Sequence, residues 1–240
     1  MKKRLFPMLA MVGLAMATTL LLSMLTACDD DDDDVDDLTE TVDDDSSDSD
    51  SDDSSSDSST STTGTINGYE YVDLGLSVKW ATINIGASGK YWAGSYFAWG
   101  EPTTKGTYKE DNSETYGINI DDISGNATYD AATDIWGSPW RMPTYDEMKE
   151  LVDECTWTWV TNSYINGYLV ESSNGNSIFL PAAGVAMKTG EYGKGDDGYY
   201  WTSTPKDDDE KAYDLFLYDT GYAVLTAYRY YGYQVRPVTD

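Results

Sequence analysis

Residues 29–62 carry 17 Asp or Glu and no Lys or Arg, and most of what lies between those acids is Ser or Thr. Such a stretch cannot bury enough apolar surface to offset the entropy of ordering its backbone. Like charges extend it further. A disordered acidic stalk over residues 28–65 is therefore expected, and folding is confined to the residues beyond it. Fully stretched, a tether of this length reaches on the order of 115 Å.

The stalk is preceded by an apolar leader. Lys2, Lys3 and Arg4 form a positive start, Leu5 to Leu25 is almost wholly apolar, and Leu25 to Cys28 reads LTAC. This is the layout of a secretory signal ending in a lipobox. Residues 1–27 are expected to be removed and Cys28 to carry the lipid that holds the protein to a membrane. The apolar stretch is long enough to span a bilayer, but an uncleaved anchor has no need of LTAC at its end. Each buried lipid methylene contributes roughly 0.8 kcal/mol, so several chains anchor stably. Asp29, Asp30, Asp31, Asp32, Asp33 and Asp34 follow directly. Acids in this position resemble the surface-export signal of Bacteroidetes-type lipoproteins, which implies an outer-membrane, lipid-anchored protein exposed at the cell surface.

The remaining residue inventory excludes several chemistries. There is no histidine, which removes Ser-His-Asp and Cys-His hydrolases, HExxH metalloproteases and most zinc sites. The two cysteines are Cys28 and Cys155. With Cys28 acylated, Cys155 has no partner, so no disulfide framework is expected. A thiolate needs a basic or imidazole neighbour, and Cys155 reads instead as a small core hydrophobe. Residues 63–240 hold 26 acidic and 12 basic residues, a net charge of −14. That excludes nucleic acid as a partner, because binding it requires cations to displace phosphate counterions.

From Tyr69 onward aromatics are dense and glycines recur at turn spacing, over about 170 residues. This is enough for one domain, placed at 66–240, that buries roughly 70% of its unfolded surface. Strands are predicted over Ser77–Ile83, over Tyr168–Val170 and Ile178–Leu180 around an Asn174-Gly175 turn, over Ala212–Tyr218 and Tyr222–Ala227 around Asp219-Thr220-Gly221, and over Tyr233–Val238. Thr144 and Glu147 form a capping box. Met148, Leu151, Val152 and Cys155 then make one apolar helical stripe. A shorter helical turn is expected near Tyr129–Thr133.

Six ordered strings carry a family resemblance: YVDLGLSVKWATINIGA, YFAWGE, WGSPWRMPTYDEMKEL, NGNSIFLPAAG, YYWTST and VRPV. Together they resemble the Fibrobacter succinogenes major paralogous (FISUMP) domain. WRMPTYDEM is also similar to the RLPTEAEW signature of formylglycine-generating enzymes. Both resemblances imply an α+β, C-type-lectin-like fold: a twisted antiparallel sheet, about two helices and long loops on one side. Activity is not implied with it. The paired cysteines of the formylglycine enzymes are missing. The lectin calcium tripeptides are not matched by Glu101-Pro102-Thr103 or Trp201-Thr202-Ser203.

Trp80, Trp136, Trp140 and Trp201 sit inside these strings and are assigned to the core. Arg141 is assigned a structural ion pair or a carbonyl clamp. Trp92, Tyr96, Trp99 and Tyr108 lie in or beside a Gly-rich segment and are the candidate ligand-binding surface, since aromatic faces stack on sugar rings. About half of Tyr228–Tyr233 is expected to face outward. Asp196-Asp197 and Asp207 to Glu210 read as solvated loop acids, without the spacing of a calcium loop. No carboxylate pair is tied to a motif that would place it across a cleft, as a glycosidase requires. The expected protein is a non-catalytic binding module without metal or cofactor. Its ligand is an extracellular glycan or, alternatively, a surface protein.

Overall fold

A computed structural model describes residues 62–240. The Cys28 lipidation site, Asp29 to Asp34 and the rest of the leader and stalk to Ser61 lie outside the described residues. The first strand, β1 (Thr63–Ile66), begins inside the span assigned above to the stalk. It pairs antiparallel with β2 (Tyr69–Val72). The turn between them is Asn67-Gly68, with φ of 52° and 85°, the left-handed pair that a two-residue hairpin requires. The Thr-rich composition of β1 continues that of the stalk, but β-branched residues facing a partner strand form a ladder.

β2 pairs with β3 (Lys79–Ala81), and β3 pairs with the C-terminal strand β12 (Val238–Thr239). A second sheet joins β4 (Thr156–Val160), β5 (Gly167–Glu171) and β6 (Ser177–Pro181). A small hairpin comes next, β7 (Val185–Met187) with β8 (Gly190–Tyr192). The longest sheet is β9 (Asp197–Pro205), β10 (Lys211–Tyr218) and β11 (Gly221–Tyr228), with β10 central. The domain is thus α+β and mostly antiparallel, as expected. Its strands fall into four small sheets, however, where one twisted sheet was predicted. Two expected strands are shorter than their patterns. Ser77–Ile83 keeps only β3. Tyr233–Val238 makes isolated bridges, Phe97 to Tyr233 and Tyr200 to Gln234, before β12. Pro237 has no N–H to continue a ladder.

Both helices form, the second where the pattern placed it and the first shifted toward the C-terminus from the expected Tyr129–Thr133. α1 (Ala131–Trp136) is capped by Asp130, whose carboxylate accepts from Ala132 and Thr133 N–H and also from Gly125 and Met142. Burial pushes the Asp130 carboxyl upward, against those four hydrogen bonds. α2 (Tyr145–Glu154) starts with the predicted box: Thr144 Oγ1 accepts from Glu147 N–H (3.3 Å), and Glu147 Oε2 accepts from Thr144 N–H (2.8 Å). Met148 and Leu151 are buried, with Val152 and Cys155 packed at the margin. Burial, with Glu150 and Glu154 nearby, pushes the Cys155 thiol up to about 11 and keeps it protonated. Arg141 forks onto Glu147 (2.8 and 2.7 Å) and reaches Asp240 (2.8 Å), the ion pair assigned to it.

Two large apolar clusters fill most of the interior, with a small third made of Ala98, Tyr108 and Ala186. One gathers Trp80, Leu151, Val170, Leu180, Tyr200 and Leu215; the other gathers Trp99, Trp136, Trp140, Met142, Trp201 and Tyr233. Trp80, Trp136, Trp140 and Trp201 are all buried, as assigned. Arg236 lies fully inside between the C-terminal segment and two sheets. Its Nε donates to Asn84 Oδ1 (2.8 Å), and its terminal nitrogens donate to the Ala81 (3.1 Å) and Phe179 (3.0 Å) carbonyls.

Candidate functional site

The segment from Thr82 to Asp130 contains no strand and only a single 3-10 turn at Glu110–Asn112. Its backbone is held down by side chains from the sheets, and its loops form one face with the β7–β8 hairpin. Arg229 is the main tie. Its guanidinium donates to the Thr115 (3.2 Å), Ile118 (2.7 Å) and Lys211 (3.1 Å) carbonyls and lies 4.3 Å from the Trp99 ring centre. Glu101, also buried, accepts from Ser113 Oγ (3.0 Å) and Glu114 N–H (2.8 Å) and pairs with Lys105.

Three depressions are lined in part by this segment of residues 82–130. At one end Tyr91, Trp92, Ser163, Tyr164 and Lys194 surround a volume of about 250 Å³. Trp92 is 58% and Tyr164 73% exposed, the two most exposed large apolar side chains among the described residues. Tyr164 stacks parallel on Tyr91 at 6.2 Å, and Lys90 sits 4.8 Å over the Tyr91 ring. The middle depression is the largest, about 540 Å³, and is lined by Ser95, Tyr96, Lys105, Tyr108, Met187 and Glu191 among others. Ser95 is two residues from Ala93, which lines the first, so their Cα atoms are at most about 7 Å apart. The third, about 400 Å³, shares Tyr108 and Met187 with the middle one and ends at Tyr230 and Tyr231. A volume of some hundreds of Å³ suits a small ligand or a few units of a chain.

The middle groove is rigidly built. Tyr96 Oη donates to the Ala183 carbonyl (2.7 Å), with Glu191 Oε2 at 3.2 Å. Burial, and secondarily Glu191, raises its phenol well above the ordinary value. Tyr108 Oη donates to the Tyr96 carbonyl and accepts from Lys105 N–H (3.0 Å); burial raises this phenol too. The Tyr108 ring packs against Gly232, where a Cβ would come within 2.9 Å of that ring. Only glycine permits so close an approach.

The four predicted aromatics therefore part company. Trp92 is exposed, and Tyr96 and Tyr108 meet in the middle groove. Trp99 is 0% exposed: its Nε1 donates to the Thr202 carbonyl (3.0 Å) and Arg229 covers its face, so its surface assignment is corrected to the core. Tyr108 offers only its edge at 5% exposure, which narrows its part to a wall of the groove. Sequence reasoning missed Tyr164, Met187 and Lys194. Tyr164 had a signal available, since it comes after an Asn162-Ser163 turn in which Asn162 Oδ1 accepts from the Tyr164 and Ile165 N–H groups. Tyr230 and Tyr231 stand half-exposed, as expected for half of that run, while Arg229 and Tyr233 are buried.

Asp196, Asp197 and Asp219 line a separate depression with Trp159 and Tyr218. Burial, with Asp196 and Asp219 adding to it, raises the Asp197 carboxyl. Among the described residues no group of three or more His, Cys, Asp or Glu is arranged to hold a metal ion. Asp207 to Glu210 form a turn in which Asp208 Oδ1 accepts from Lys211 N–H (2.9 Å).

A family model described as a domain of unknown function (DUF8237) matches residues 147–238, from the first turn of α2 to β12. Neither a curated protein nor a solved structure matches the chain. The stretch similar to that family carries Met187, Lys188, Glu191, Tyr230 and Tyr231, so it supplies one wall of the face, and the loops of residues 82–130 supply the other.

Proposed function

We propose that this protein is a lipid-anchored, surface-exposed binding protein of the outer membrane, non-catalytic, whose folded domain recognises extracellular glycan on the Trp92–Tyr231 face. The carrying observation is the pair of broadly exposed rings, Trp92 and Tyr164, at a depression whose segment continues through Ser95 and Tyr96 into a tyrosine-walled groove. Exposed aromatic faces give a sugar ring large contact area at little entropic cost, and the preformed groove orders few side chains on binding. The FISUMP resemblance supports a C-type-lectin-like assignment of the α+β domain, because it spans nearly all of Tyr69–Val238 and expects two helices and one loop-bearing face. The lipobox and acidic run support the cellular address.

A glycan array probed with the full chain in neutral detergent tests the binding reading. Trp92→Ala is expected to weaken the wild-type glycan signal at least tenfold, a loss of about 1.4 kcal/mol, with the fold unchanged because the side chain is exposed. A wild-type array without signal, together with a protein captured through Trp92, would replace the glycan by a protein ligand, for which the same exposed aromatics suit an interface anchor. Anchoring has its own test. Cys28→Ala is expected to abolish incorporation of labelled palmitate and to release the protein from the membrane fraction; undiminished labelling would exclude the lipobox.

A further inference from the structure

We propose that the glycan taken by this face is a linear polymer carrying anionic groups, carboxylate or sulfate, along its length. This rests on the glycan reading and adds the ligand's charge. The domain nets −14, and eight of its twelve cations are held by carboxylates or buried carbonyls. Lys105, Lys109, Lys149, Lys206 and Lys211 form ion pairs with carboxylates, and Arg141 pairs with Glu147 and Asp240. Arg229 and Arg236 are buried against carbonyls. Among the described residues four lysines remain without a carboxylate. Lys79, on β3, donates to the Asp240 main-chain oxygen (2.7 Å). The other three, Lys90, Lys188 and Lys194, all belong to the aromatic face.

Their placement matches an extended ligand. Lys90 and Lys194 flank the Trp92–Tyr164 end, and Lys188 lines the Tyr230–Tyr231 end, with the Tyr96–Tyr108 groove between them. Lys188 and Lys194 are both exposed. The Trp92–Tyr164 end has Lys90 and Lys194 with no carboxylate in its lining, while Lys188 shares its depression with Glu110, so the first end is the stronger anion-attracting point on a repulsive background. Glu110, Asp111 and Glu191 share the face, but Asp111 already pairs with Lys109, and Glu191 lies at the Tyr96 hydroxyl in the middle. A neutral sugar unit fits beside Glu191, and charged units fit toward the two ends. Three depressions lined in part by one segment favour an internal stretch of polymer over a single terminal sugar.

The net negative charge repels a polyanion at long range while the lysines attract it locally. Salt screens both terms, so the test holds ionic strength constant and changes the ligand. Full-length protein in neutral detergent is titrated with an oligogalacturonate and its methyl ester of equal length, and separately with a sulfated galactan oligomer and its desulfated counterpart. In at least one pair the charged member is expected to bind ten times more tightly or better. The double variant Lys188→Gln, Lys194→Gln is expected to remove that preference, bringing the affinity for the charged member down to that for the neutral one. Equal affinity within both pairs, with binding still lost in Trp92→Ala, would overturn the anionic inference and leave the glycan reading standing. Binding of no oligosaccharide would overturn both. Poly-glutamate binding as tightly as the charged oligosaccharides would show charge attraction without sugar recognition and would also overturn the inference.

Discussion

Asp214→Asn is expected to stabilise the protein above pH 7, an unusual direction for a core substitution. Asp214 lies on the central strand β10, is 2% exposed, and its Oδ1 has no hydrogen-bond partner. Burial alone pushes its carboxyl from 3.8 up to about 7. Its charge also raises the Tyr199 and Tyr233 phenols, although burial is the larger cause at both. A carboxyl held above its unfolded value favours the protonated form in the native state. The folded protein therefore has no penalty below about pH 4, loses stability as pH rises, and reaches a constant deficit above about pH 7. The distance from 3.8 to about 7, at 1.36 kcal/mol per pH unit, bounds that deficit at about 4 kcal/mol. Asparagine mimics the protonated acid and removes the pH-dependent part. Urea unfolding at pH 8 and pH 4.5 measures it. The variant should exceed wild type by a few kcal/mol at pH 8, and the gap should shrink sharply at pH 4.5. A gap independent of pH would contradict a buried ionising carboxyl.

Arg236→Ala is expected to cost about 4 kcal/mol, roughly 10 °C in Tm for a domain of this size. Desolvation lowers the guanidinium to about 10, so it stays charged at neutral pH. Its three donors satisfy Asn84 Oδ1 and two buried carbonyls in β3 and β6. Truncation leaves these acceptors without a donor, each worth about 1–3 kcal/mol and not fully additive, and opens a cavity. Arg236→Lys should recover only part of the loss, because an ammonium cannot present a planar fork to three separated acceptors. Thermal unfolding followed by circular dichroism reads both. A loss below about 1 kcal/mol for the alanine variant would remove Arg236 as the tie between the C-terminal segment and the sheets.

The strings that make the sequence readable are, in the structure, mostly scaffold. Trp80, Trp99, Trp140, Trp201 and Arg236 are buried, and Asn174 and Asn176 of the NGN turn donate to the Asp73 carbonyl (3.0 and 2.8 Å) to dock that hairpin on the LGLS loop. Periodicity and capping legibly place α2, because its box and its stripe are local signals. The β5–β6 and β10–β11 hairpins are legible for the same reason, with one slip. The pattern puts Gly221 in the turn, but it pairs with Tyr218 in the ladder, so the turn is the two residues Asp219-Thr220. The Asn67-Gly68 hairpin escapes sequence reading because its threonines look like stalk. The site is only half legible. Trp92, Tyr96 and Trp99 share one short segment. Nothing local to it tells that the Trp99 ring is covered by Arg229, far along the chain, while Trp92 stands in solvent. Tyr164 and Lys194 join Trp92 only through tertiary packing, which no spacing along the chain encodes.

The most direct measurement is a crystal structure of the protein with a bound oligosaccharide that the array selects. A sugar ring is expected to lie flat on Trp92 beside Tyr164, with the chain running along Tyr96 and Tyr108 toward Tyr230. A sugar bound instead among Trp159, Tyr218 and the Asp196–Asp197 loop, with the Trp92 face empty, would contradict it.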